Sequence, residues 1–93
     1  MEIYKLIFAF EETIMYLRKS KSSDPSQMPI EEIVRRLEVE IARARNAKPM
    51  DVTFLERLFA PNGVIQQTSI ENGWGTKFLR ISELIDQFTM GNN

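Results

Sequence analysis

From Glu2 to about Lys19 the apolar residues Ile3, Ile7, Phe10, Ile14 and Leu17 alternate at spacings of four and three. That rhythm places them on one face of a helix, about 27 Å long at 1.5 Å per residue. A second apolar row, Tyr4, Phe8 and Met15, flanks the first. A helix apolar over more than half its girth either stands centrally in its bundle or pairs with another chain. Central placement is the simpler expectation for so short a chain, and the exposed alternative makes the row a partner-binding or self-association face. Ser20 to Pro29 (SKSSDPSQMP) has loop composition, with serines, an Asp-Pro pair and a second proline, and is expected to be flexible.

Pro29 suits the first turn of a second helix, where its missing N–H costs nothing. Ile30, Ile33, Val34, Leu37, Ile41 and Ala44 supply its buried stripe. Glu31 and Glu32 near the start and Arg43, Arg45 and Lys48 near the end complement the helix dipole. Glu31–Arg35 and Glu32–Arg36 are expected as i,i+4 pairs, and Pro49 as the stop. Asp51 is placed to cap a short third helix that packs through Phe54, Leu55, Leu58 and Phe59, with Ala60-Pro61-Asn62-Gly63 as the turn that ends it.

Val64 to Asn72 carries enough β-branched residues for a strand, but no other segment reads as its partner. A short helix ending at Asn72-Gly73 is preferred, glycine being the usual left-handed C-terminal residue. Thr76 can cap a last helix built on Phe78, Ile81, Ile85 and Phe88, with Leu84 alongside, and Gly91 to Asn93 should fray. The predicted architecture is all-α: one domain, residues 1–93, with four or five helices in a small bundle.

Composition then removes whole classes of chemistry. The 93 residues include no cysteine and no histidine. Disulfides, thiolate and imidazole metal sites, cysteine nucleophiles and imidazole bases are therefore excluded. At this size roughly 65% of the unfolded surface is buried on folding, so a core forms without staples. Twelve basic and thirteen acidic side chains give a net charge of −1. Residues 1–49 carry nine basic and eight acidic groups, and residues 50–93 three and five. Neither half has the basic excess of a nucleic-acid binder. Nothing approaches the roughly 20 apolar residues of a membrane span, and a cytoplasmic setting is expected.

The remaining constellations are few. The adjacent acids Glu11-Glu12 and Glu31-Glu32 point about 100° apart on a helix, which does not converge two carboxyls in one cleft. Ser20-Lys21 has no apolar wall to activate a lysine. The glycines at 63, 73, 75 and 91 do not form a phosphate loop. No catalytic residue, metal ligand, cofactor or small-molecule site is assigned, and the chain reads as no enzyme. The arginines of the second helix, interleaved with Glu31, Glu38 and Glu40, read as a salt-bridged solvent face.

Residues 54–72 have the outline of a helix-turn-helix, with Gln66, Gln67 and Thr68 able to reach base edges, although only Arg57 stands near for phosphate. Trp74, between Gly73 and Gly75, is either an exposed anchor or a plug between the last two helices, and the plug is the better use of a large aromatic. The functional expectation is a non-catalytic interaction module, such as an inhibitor, an immunity-type protein or an accessory subunit. Its partner is another protein or a second copy, and Tyr4, Phe8, Met15 and Trp74 are the candidate contacts. A DNA-binding regulator is the alternative.

Overall fold

The computed structural model describes residues 2–22 and 24–91. They form α1 (Ile3–Arg18), α2 (Ile30–Arg45), α3 (Val52–Leu58), α4 (Val64–Glu71) and α5 (Gly75–Gly91), with no strand among the described residues. The all-α bundle is therefore observed, and Val64 to Glu71 is helical. Asn92 and Asn93, assigned to a frayed tail, lie outside the described residues, while Gly91 closes α5.

Helix α1 packs against α2, α4 and α5, and α5 also packs against α3 and α4. Arg18 meets Glu38 and Glu11 meets Arg45, so α1 and α2 run antiparallel. Glu12 meets Arg80 while Tyr16 stacks on Trp74, so α5 is antiparallel to α1 as well. One cluster of buried side chains draws on all five helices, with Leu6, Phe10, Leu17, Ile33, Leu37, Leu55, Ile65, Phe78, Ile81 and Ile85 at its centre. Phe10, Phe59 and Phe78 form a run of stacked rings through it, at centroid distances of 6.1 and 6.4 Å.

Several local expectations shift for physical reasons. Ile3 shares the apolar face that predicts the core of α1 but is 42% exposed. Arg45, the last residue of α2, sits beside Glu11, so α2 stops short of the first turn of α1. The buried side of α1 is also wider than the five-residue stripe, taking in Leu6, Ala9 and Thr13, because three helices cover it. Thr13 satisfies its buried hydroxyl by donating to the Ala9 carbonyl at 2.8 Å. Phe88 is only half-buried, toward the end of α5. Pro29 is the N-cap of α2, one residue before its first turn. Glu32 pairs with Arg35, one turn away at i,i+3, and Arg36 instead lies 4.0 Å from the centre of the Phe54 ring. Helix α5 begins at Gly75, before Thr76 could cap it, and the Phe78 N–H donates to the Trp74 carbonyl.

Pro49 does not stop α2. The helix ends at Arg45, four residues earlier, in a turn where Ala47 has φ +53°. The Lys48 N–H donates to the Arg43 carbonyl at 2.8 Å and the Ala47 N–H to Ala44 at 3.3 Å, the paired bonds of a Schellman motif. Glycine is the residue this geometry favours, and an L-residue there is strained by about 1–2 kcal/mol. Ala47→Gly is expected to stabilise the protein by about 0.5–1 kcal/mol after allowing for the greater freedom of glycine in the unfolded chain. A urea midpoint that fell instead would show that the strain is absent. Two other caps read from sequence are present: Asp51 accepts from the Phe54 N–H at 3.0 Å, and Gly73 takes φ +81° after α4.

Candidate partner-binding surface

The second apolar row of α1 faces outward. Tyr4, Phe8 and Met15 are 51%, 63% and 44% exposed, although the helix itself is central in the bundle. The helix is thus central, with α2 and α5 flanking it and α4 packed beside it, while among the described residues no element covers this row. Tyr4 and Phe8, one turn apart, meet edge to face at 6.0 Å. The Tyr4 phenol is held above its ordinary pKa, first by its hydrogen bond to Glu2 and then by slight desolvation. Glu2 in turn lies 3.9 Å from Lys5.

Ion pairs border the row on both sides. Toward α2 stand Glu11–Arg45 at 3.4 Å and Arg18–Glu38 at 3.5 Å. Toward α5, Glu12 accepts from Arg80 and, at 3.2 Å, from the Tyr16 hydroxyl. Between the α2-side pairs runs a shallow groove floored by Ile14, Met15, Ile41 and Ala42. Met15 joins that groove to the aromatic end of the row. An apolar centre with a charged rim is the usual anatomy of a protein contact surface. The exposed pairs themselves contribute little to stability, about 0–1 kcal/mol each.

Trp74 does not belong to this surface. It is 6% exposed, stacks on Tyr16 at 5.0 Å, and donates from Nε1 to the Ser20 Oγ at 2.9 Å. Ser20 donates onward to the Tyr16 carbonyl at 2.8 Å. Of its two readings the buried one is observed, but the side chain meets Tyr16 of α1 and Ser20 just after it, not a gap between the last two helices as expected. Its burial withdraws it from the partner contacts. The same corner fastens the start of the loop: the Lys21 N–H donates to Asn72 Oδ1, and Asn72 Nδ2 donates to the Lys21 carbonyl. Further along, Asp24 accepts from both the N–H and the hydroxyl of Ser26, which holds its carboxyl below the ordinary pKa.

The other sequence candidates separate in space. Glu11 turns to Arg45 and Glu12 to Arg80, so the adjacent acids diverge. Among the described residues no group of three or more acids is placed to hold a metal ion, and no helix is long and apolar enough to cross a membrane. Of the side chains assigned to base reading, Thr68 is buried and Gln66 is occupied, accepting from the Asn62 N–H. Only Gln67 faces solvent freely.

Sequence reasoning also passed over two features. Glu40, taken for part of a solvent face, is 3% exposed and accepts from Arg43 Nη1 at 2.6 Å and from the Asp51 N–H at 3.0 Å, tying α2 to the start of α3. Ile70 and Leu79 are more than half exposed. Ile70 lies against Gly75, and Leu79 stands one turn further along the same face of α5. The signal for that second spot, an apolar residue four after a helical glycine, is too common to single out. Compared with known protein families, curated proteins and solved structures, the chain matches none.

Proposed function

We propose that this protein is a non-catalytic interaction module that presents the Tyr4–Phe8–Met15 face of α1 to another protein or to a second copy of itself. The observation that carries the reading is the exposure of these three large side chains along one helix, with ion pairs on either side. Aromatic anchors inside a polar rim account for most of the energy in protein interfaces, and such a module needs only a rigid scaffold beneath them.

The test places a photo-crosslinking phenylalanine analogue at position 8 and, as control, at the exposed position 77, in the native cell. Position 8 is expected to yield one discrete adduct and position 77 none. An adduct of twice the chain's mass identifies a second copy, and any other mass a different protein. In the purified complex, Phe8→Ser is expected to weaken binding at least about tenfold, the effect of an interface hot spot, while moving stability by no more than about 0.5 kcal/mol. Equal crosslinking at positions 8 and 77, or unchanged affinity in Phe8→Ser, would overturn the proposal.

A further inference from the structure

The chain contains two Asn-Gly sequences, Asn62-Gly63 and Asn72-Gly73, and the fold treats them in opposite ways. Asn-Gly is the sequence in which spontaneous deamidation is least hindered, because glycine has no side chain to obstruct attack by its own backbone nitrogen. Asn72 is half-buried, and its carboxamide makes three hydrogen bonds. Oδ1 accepts from the Lys21 N–H at 3.0 Å, while Nδ2 donates to the Lys21 carbonyl at 2.8 Å and to the Thr68 carbonyl at 2.9 Å. Asn62 is exposed in the α3–α4 turn at φ +62°, and among the described residues its carboxamide has none of the partners that hold Asn72. The one bond holding the attacking group is from the Gly63 N–H to the Ala60 carbonyl, at 3.0 Å.

We infer that Asn62 is a site of self-modification by deamidation in the folded protein, and that Asn72 is protected by the fold. In the reaction the Gly63 nitrogen gives its proton to hydroxide and bonds to the Asn62 Cγ. The Cγ–Nδ2 bond breaks, and ammonia leaves with a proton taken from water. The resulting succinimide then adds one water. Opening at Cγ yields aspartate, and opening at the α-carbonyl yields isoaspartate. The net change is one water consumed and one ammonia released, with a carboxylate in place of a neutral amide. Only the turn 60–63, exposed at Pro61 and Asn62, has to open for this to occur. At Asn72 three carboxamide bonds must be lost first, two that join the end of α4 to Lys21 and one back to the Thr68 carbonyl of α4.

The two products differ in consequence. Aspartate is accepted at positive φ much as asparagine is. Isoaspartate lengthens the backbone beside Gly63, where even an added Cβ would lie 3.0 Å from the Ala60 carbonyl oxygen and 3.2 Å from that of Arg57. The extra backbone atom falls just before Gly63, the N-cap of α4, so isoaspartate is expected to unseat the start of that helix.

The full-length protein is incubated at mildly alkaline pH, folded and in denaturant, and then digested with trypsin. Both sites fall in the peptide 58–77, where fragment masses separate them. In denaturant the two asparagines are expected to react at similar rates. In the folded protein Asn62 is expected to react faster by about a hundredfold, the combined effect of three net hydrogen bonds. Gln66→Ala, which removes the acceptor of the Asn62 N–H, is expected to speed the reaction at Asn62 alone. Equal rates at the two sites in the folded protein, or an Asn62 as inert as Asn72, would overturn the inference.

Discussion

Trp74→Ala is expected to cost about 3–5 kcal/mol, among the largest single losses available in this fold. The indole is almost wholly enclosed, so truncation removes its buried area and leaves a void between the end of α1 and the start of α5. It also removes the stacking on Tyr16, which contributes about 0.5–1.5 kcal/mol beyond area, and the hydrogen bond to Ser20, about 1 kcal/mol net. Domains of this kind are stable by only about 5–15 kcal/mol, so the variant should be marginal. Trp74→Phe keeps most of the ring and loses the N–H, and should fall between the two. Urea unfolding followed by far-UV circular dichroism measures both. A Trp74→Ala midpoint equal to wild type would mean that the residue is no plug, and would restore it as a surface anchor.

Phe10→Ala should cost a similar amount, about 3–5 kcal/mol, by a different route. Phe10 has no exposed surface and stacks on Phe59, which stacks on Phe78. The three rings link α1, the end of α3 and α5. Removing the first leaves a cavity where these elements meet, and the backbone of a helix packed on three others has little freedom to collapse into it. Phe10→Leu keeps most of the volume and should cost about 1.5 kcal/mol or less. A double-mutant cycle between Phe10→Ala and Phe59→Ala should return a coupling of about 0.5–1.5 kcal/mol, the ring–ring part. Zero coupling would show that the rings are neighbours without a specific interaction. By contrast Phe8→Ala, two residues away, should leave the midpoint nearly unchanged, because Phe8 already stands 63% in solvent. The pair of results separates core from surface on one helix.

What could be read from the chain is what short-range physics decides. The 3–4 spacing of Ile7, Phe10, Ile14 and Leu17 specifies a helix and its buried side, since side chains three and four apart share a face whatever they meet. Asp51 caps α3 and Gly73 ends α4 because each acts within one turn of backbone. The helix at Val64 to Glu71 followed from the lack of a strand partner, a property of the whole sequence.

Tertiary structure decided the rest. The apolar row of Tyr4, Phe8 and Met15 has the periodicity of a core, and it faces outward because no element of the fold covers it. Glu40 has the charge of a surface residue, and it is buried because the chain returns with the Asp51 N–H eleven residues later. Trp74 is enclosed because Ser20 and Tyr16, more than fifty residues earlier, come to meet it. In each case the side chain's own chemistry allows both environments. Burial depends on which distant segment arrives to cover it, and that is settled only when the helices pack.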